Sequence, residues 1–272
     1  MSWLNGKTIL ISGISSGIGK AFAQKFIKDY DCTVYGIARN QEKVLKFKEE
    51  LGEKAANLKE FFLFDVSVES NWQNLAQVLI NKNISIDIVI NCAGFLPPFK
   101  KFENVSGDTI KRVFDVDFFS CVYSVKHLLP LIKKSETPAI INVSSSAALA
   151  TFAGISGYSA AKAALKQFTL SLAEEYRGEI YFGCICPGFT ETNIFTDHDI
   201  IDKERKFISK ISSSCDKIVG KSIKRIKKKK TLSVIGYDAK LMNFFYKLMP
   251  ITTAKIITSI LRKSKFEMFG DI

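Results

Sequence analysis

The chain has 272 residues, of which 47% are apolar and 24% charged. Such a composition fills a packed core, which excludes a disordered, collagenous or disulfide-scaffold chain. No uncharged apolar run reaches the ~18 residues of a membrane-spanning helix. The net charge is +12, but residues 1–200 carry 21 basic and 21 acidic side chains, so the excess lies in residues 201–272, with 18 basic against 6 acidic.

Short apolar runs alternate with helical stretches from the start. Lys7–Ser12 reads as a strand and Gly17–Asp29 as a helix. Cys32–Ala38 is a strand, followed by a Lys/Glu-rich helix to about Leu51. Glu60–Asp65 and Ile86–Asn91 are strands around a helix at Glu69–Lys82. One long helix is expected over Asp108–Lys133, then a strand at Ala139–Ser144, a helix at Ser156–Arg177 and a strand at Ile180–Cys186. Beyond Pro187 the pattern is less regular. Thr231–Gly236 reads as a last strand, and Asp238–Lys265 as amphipathic helix split at Pro250. The strands are continuous runs rich in Val, Ile and Phe, the mark of parallel strands buried on both faces. With no signal-like segment before Thr8 and six cysteines lacking any CxxC or zinc spacing, the expectation is a cytoplasmic protein with reduced thiols and no metal.

The first strand runs into Gly13-x-x-x-Gly17-x-Gly19, with Ser15, Ser16 and Ile18 between the glycines. Strand, glycine turn and helix in that order suit a pyrophosphate, because the backbone can approach it and the helix start offers free N–H groups. An NAD site places an acid about 20 residues further on. Here Gly36–Asn40 contains none, and Arg39 offers its planar fork to a 2′-phosphate. NADP(H) is therefore favoured over NAD(H).

Tyr158 and Lys162 stand at i, i+4 on one helix face. An ammonium beside a phenol favours the phenolate, so a Tyr of lowered pKa is expected, able to exchange a proton with a carbonyl or alcohol oxygen. Ser145 ends a buried strand at the carboxyl edge of the sheet, where ligands bind, and its hydroxyl can hold the substrate oxygen.

These motifs, with Asp65, Asn91-Cys92-Ala93-Gly94 and Pro187-Gly188 … Thr192, resemble the short-chain dehydrogenase/reductase family over roughly residues 6–195. The resemblance implies a Rossmann-type, doubly wound α/β fold with about seven parallel strands in a single domain over 1–272, and a homo-oligomer, dimer or tetramer. It implies Asp65 and Val66 near the adenine and Asn91, Ala93 and Gly94 along the cofactor. Lys162 bonds the nicotinamide ribose, and Pro187, Gly188, Thr190 and Thr192 border the nicotinamide and pyrophosphate. One position departs from the pattern: Asp117 stands where the family carries Asn. In the family that residue's backbone carbonyl holds a water that relays protons to the Lys. An ionised Asp117 would alter the neighbouring pKa values and slow the relay.

Residues 189–214, with Phe195, Ile200, Ile201, Phe207 and Ile208 among charges, read as a lid over a lipophilic substrate. His198 sits in that lid, and His127 reads as a partly buried helix histidine. The basic extension, 221–272, combines a run at Lys221–Lys230 with an apolar stripe at Leu241, Phe244, Phe245, Leu248 and Met249. Together they suit an anionic membrane surface; the stripe packing on the core or a second subunit is the alternative. No nucleic-acid reader motif accompanies the charge. The expected activity is NADPH-dependent reduction of a ketone or aldehyde to an alcohol. The alternatives are an NAD-dependent alcohol dehydrogenase and a catalytically impaired nucleotide-binding protein at a membrane surface.

Overall fold

A computed structural model describes residues 2–192, 212–264 and 266–272. Most of the expected lid, His198 included, lies outside the described residues. Seven parallel strands form one sheet: β1 (Thr8–Ser12), β2 (Thr33–Ala38), β3 (Leu58–Leu63), β4 (Ile88–Asn91), β5 (Ala139–Val143), β6 (Tyr181–Pro187) and β7 (Leu232–Ile235). Their order is β3-β2-β1-β4-β5-β6-β7. The winding direction reverses between β1 and β4, and such a switch point opens a crevice at the carboxyl edge of a sheet.

Strand alternation divides the core into two layers. Ile9, Ile11, Ile88 and Ile90 face one side, with Phe22 and Phe26 of α1 (Gly17–Tyr30) and Val44 and Phe47 of α2 (Gln41–Glu50). Leu10, Val89 and Ile140 face the other, with Trp72 and Leu75 of α3 (Glu69–Asn81) and Leu172 of α6 (Ser156–Glu175). Because both faces are covered, no strand of this sheet needs a polar side, which is why the runs read as continuous apolar segments.

The expected single helix over Asp108–Lys133 is three pieces: α4 (Gly107–Phe114), a π turn (Asp115–Phe119) and α5 (Ser120–Ile132). Periodicity did not reveal the wider turn, because apolar residues continue through it. The π turn buries Val116 and Asp117, and such turns concentrate at functional sites.

A further helix that the sequence reading missed, α7 (Cys215–Lys227), buries Ile218, Val219, Ser222, Ile223 and Ile226 at helical spacing, and Ser214 caps it by accepting from the Lys217 N–H. Its basic side chains hid this apolar stripe. The helix also separates the basic run from the apolar stripe. Its end lies at the amino edge of the sheet: Trp3 Nε1 donates to the Lys227 carbonyl (3.1 Å), Lys229 Nζ sits 5.4 Å from the Trp3 ring centroid, and Tyr181, the first residue of β6, donates to the Lys230 carbonyl (2.9 Å). The apolar stripe begins only after β7 has crossed the sheet, roughly 20 Å away at ~3.3 Å per residue. The basic run and the stripe therefore occupy opposite edges and form no single surface.

After β7 come α8 (Tyr237–Leu248) and α9 (Pro250–Lys263), divided at Pro250, which serves as the first residue of α9. Met242, Tyr246, Ile257 and Leu261 face inward onto a third apolar cluster with Phe99, Phe152, Tyr158 and Phe269. The stripe residues Leu241, Phe244, Phe245, Leu248 and Met249 are exposed, so they do not pack on the core.

Candidate active site

At the switch point the chain turns tightly. Gly13 has φ +73°, and a Cβ there would lie 3.0 Å from the Ala93 backbone; a Cβ on Gly19 would overlap the Gly13 carbonyl. Neither position admits a larger residue without backbone movement. The Gly13 N–H donates to the Ile37 carbonyl (2.9 Å), and Ser12 Oγ accepts from the N–H groups of Cys92 (3.0 Å) and Ala93 (3.2 Å). The ends of β1, β2 and β4 are thereby tied together. The N-cap of α1, Ser16, makes no side-chain capping bond, and the first turn holds no acid. That helix start is open to an anion.

A cavity of about 660 Å³ starts at this turn, where Gly13, Ser15, Ser16, Gly17, Ile18 and Gly19 line it. It passes Arg39, Asp65 and Val66 on one side and Ala93 and Gly94 beneath. It reaches Ser145, Tyr158 and Lys162, and closes against Pro187, Gly188, Thr190 and Thr192. Asp65 accepts from the Ser67 N–H (2.9 Å) and hydroxyl (2.7 Å). Burial pushes its carboxyl up, but these bonds and the charges of Arg39 and Arg112 hold it below the ordinary value.

Two expected residues do not line this cavity, Asn91 and Asp117. Asn91, the last residue of β4, is bonded within the sheet. Its amide donates to Asn142 Oδ1 (2.8 Å), and Asn142 donates in turn to Thr169 Oγ1 (2.9 Å), which joins β4, β5 and α6 behind the cavity wall. Conversely, the cavity is lined by Lys43, Arg112 and Phe95, which the sequence reading missed. For Lys43 a signal was present: Asn40 is the N-cap of α2 and accepts from the Lys43 N–H (2.9 Å), so the helix start that follows Arg39 brings a second cation beside it.

The side chains expected to be catalytic meet where α6 leans on β5. The Ser144 hydroxyl donates to the Lys162 carbonyl (2.8 Å), which pins the helix to the strand end. Lys162 Nζ lies 5.7 Å from the Tyr158 ring centroid, and Ser145, whose Oγ accepts from the Ala147 N–H (3.1 Å), lines the same cavity as Tyr158. Lys162 Nζ also donates to the Val143 carbonyl (3.2 Å) and pairs with Asp117 Oδ1 (3.0 Å). Both Asp117 oxygens accept from the Phe95 N–H (3.2 Å each), and Asp117 is 0% exposed. The Asp117 side chain thus engages Lys162 directly, which the expectation of a backbone role did not contain.

This ion pair changes the electrostatics. Burial raises the Asp117 carboxyl, and Lys162 draws it partly back. Burial disfavours the Lys162 ammonium, but Asp117 and Tyr158 outweigh it and hold the group above its ordinary value. For Tyr158, burial raises the phenol and Asp117 adds to the rise, while Lys162 and Ser145 pull it down without prevailing. The expected lowering of Tyr158 is therefore corrected. Lys162 acts in the expected direction, but burial and its acidic partner exceed it. A phenol that stays protonated is able to donate that proton.

The rest of the cavity wall is apolar: Phe95, Leu96, Phe99, Phe152, Ile155 and Phe189 line it, with Phe152 and Phe189 edge to face at 6.1 Å.

The family model described as short chain dehydrogenase matches residues 7–200. A benzil reductase of Saccharomyces cerevisiae that forms (S)-benzoin is 35% identical over 199 residues, 71% of this chain and 74% of the relative. A short chain dehydrogenase of Shigella flexneri 2a, solved with NADP, superposes with a TM-score of 0.76 at 25% identity, covering 88% of this chain and 99% of that one. A short chain dehydrogenase/reductase of Burkholderia phymatum, solved with NAD, has a TM-score of 0.77 at 19% identity over 91% of this chain and 96% of the other. That last likeness is one of fold alone.

Proposed function

Because the chain belongs to the short chain dehydrogenase family and is an NAD(P)-dependent oxidoreductase, we propose that it reduces a lipophilic ketone or aldehyde to an alcohol with NADPH. The observation that carries the reading is the buried Tyr158 phenol beside Lys162 and Ser145 in the cavity that the glycine turn opens, with burial and Asp117 favouring its protonated form. Carbonyl reduction needs a proton donor at that point, whereas alcohol oxidation needs a phenolate.

The residues fit a dinucleotide. The cradle at Gly13 and Gly19 is closed to any side chain, and the start of α1 faces the cavity beside it. Arg39 and Lys43 offer two cations to a 2′-phosphate, which supports NADPH over NADH; so does the Shigella flexneri neighbour, solved with NADP. When bound, the nicotinamide would supply a hydride, one hydrogen nucleus with two electrons, to the carbonyl carbon. Ser145 orients the carbonyl oxygen and Tyr158 delivers the proton to it. Lys162 keeps its charge through Asp117 and steadies the phenolate that Tyr158 becomes once its proton has passed to the substrate oxygen. The apolar wall, from Phe95 to Phe189, excludes water and favours a lipophilic carbonyl substrate. The benzil reductase relative, whose named substrate is an aromatic diketone, agrees with that wall.

In the same reading residues 1–272 form one domain, and the enzyme assembles as a dimer or tetramer. A cytoplasmic location suits the six free thiols, and burial pushes those of Cys32 and Cys121 up to about 11. Following NADPH consumption with aromatic diketones, long-chain ketones and aldehydes tests the activity. Tyr158→Phe keeps the ring and removes the proton. NADPH should still bind while turnover falls at least ~10²-fold, the scale of general acid catalysis. Turnover near that of wild type would overturn the assignment.

A further inference from the structure

The hairpin α8–α9 presents a face that the rest of the described chain does not cover. Phe244 (58% exposed), Leu248 (63%), Ile251 (71%) and Ile260 (62%) stand out from it, with Leu241, Phe245, Met249 and Ile256 between them. Large apolar side chains grouped in this way mark an interaction surface. The charges are one-sided: between Ala239 and Ser264 the cations are Lys240, Lys247, Lys255, Arg262 and Lys263, and there is no acid. Lys255, Arg262 and Lys263 also line a groove of about 640 Å³ between α9 and the segment at Thr151, since i, i+7 and i+8 fall on one helix face.

We propose that this hairpin docks on an anionic lipid bilayer. Apolar side chains enter the boundary between headgroups and acyl chains, and the cations meet lipid phosphates and carboxylates. Charge complementarity selects the occupant. An isologous contact with a second copy would set the same cations against each other, with no acid from the segment to answer them. A bilayer rich in anionic lipid supplies the missing charge over the whole face. The location gives docking a use: α8 starts directly after β7, at the carboxyl edge that carries the cavity, and Asp238 in its first turn accepts from the Phe189 N–H (2.7 Å), Phe189 being part of the cavity wall. A docked hairpin would hold the cavity mouth near the lipid. Binding itself does not depend on the proposed reaction, so it is measured without turnover.

The experiment is co-sedimentation of the full chain with vesicles of phosphatidylcholine alone or mixed with phosphatidylserine, at low and physiological salt. Wild type should sediment with the anionic vesicles, ignore the neutral ones and release as salt rises. The combined variant Lys255→Gln, Arg262→Gln, Lys263→Gln should bind about a hundredfold more weakly, at about fivefold per cation. Phe244→Ser with Leu248→Ser should weaken binding while leaving the salt dependence in place. Replacing Lys227–Lys230 with Gln should change little, because that run lies at the other edge of the sheet. Retained NADPH binding by each variant shows that it is folded. Absence of wild-type binding to anionic vesicles overturns the proposal. So does loss of binding only in the Lys227–Lys230 variant, or self-association in light scattering that the Phe244/Leu248 variant abolishes, since a second copy would then cover the face.

Discussion

Asp117 is the residue at which this chain differs most from a plain reading of its motif. Its carboxylate sits 3.0 Å from the Lys162 ammonium in full burial, where charges interact strongly. The proton on Tyr158 is the quantity it controls. Reduction requires that proton, so the rate should be level through neutral pH and fall only as pH passes the Tyr158 value, which burial and Asp117 hold above that of an ordinary phenol. Asp117→Asn keeps the shape and an oxygen for the Phe95 N–H but leaves the Lys162 charge unopposed. A raising influence is removed, so the falling limb of kcat/KM against pH should move to lower pH, and alcohol oxidation, which uses the phenolate, should gain relative to reduction. A limb that stays in place or moves upward would refute this role. Arg39 is tested on the same scale by affinity. Arg39→Ala should weaken NADPH about ten- to a hundredfold, the worth of a charge-assisted hydrogen bond, and leave NADH almost unchanged. Equal losses by fluorescence titration would mean that Arg39 supports the loop without reading the phosphate. Adding Lys43→Ala should deepen the NADPH loss if both cations face the phosphate.

Among the elements, the glycine turn and the π turn do different work. The glycine turn is defined by contact between backbones: Gly19 packs on the Gly13 carbonyl, and Gly13 packs on Ala93. Gly19→Ala puts a methyl group into backbone that is itself hydrogen-bonded to β2 and cannot yield cheaply. Overpacking of this sort costs about 1–3 kcal/mol. The thermal midpoint should fall and both NADPH and NADH should bind more weakly, because the cradle itself is distorted. Loss of only one cofactor would count against this account. The π turn was hidden from sequence because its residues, Asp115–Phe119, continue an apolar, helix-compatible pattern. The wider turn is nevertheless what directs Asp117 inward from a helix that is otherwise regular. The α6 helix was easier to read, since Tyr158 and Lys162 share a face through spacing alone.

For the whole molecule, the distribution of charge along the chain is a poor guide to its distribution in space. Residues 201–272 hold the entire positive excess, yet among the described residues the sheet separates the run at the end of α7 from the cations of α8 and α9. The end of α7 puts Lys227–Lys230 beside Trp3 and Tyr181 at the amino edge, while α8 and α9 bring theirs to the carboxyl edge. Asn91 shows a related limit: its motif was readable, but its partner Asn142, 51 residues on, is brought to the paired position only by the neighbouring strand β5.

What the sequence by itself determined is the part whose physics is local. A run buried on both faces needs only apolar residues in series, a phosphate turn needs glycines at close spacing, and a Tyr–Lys pair needs four residues of helix. The order of those features along the chain was enough to predict a Rossmann-type sheet, and the seven observed strands form one. Tertiary structure alone decided the Asp117–Lys162 pair, the upward shift of Tyr158, the placement of Lys43 beside Arg39, and the face that α8 and α9 leave uncovered. Each of these depends on burial or on a partner distant in the chain, and neither desolvation nor long-range contact leaves a period that can be read along a sequence.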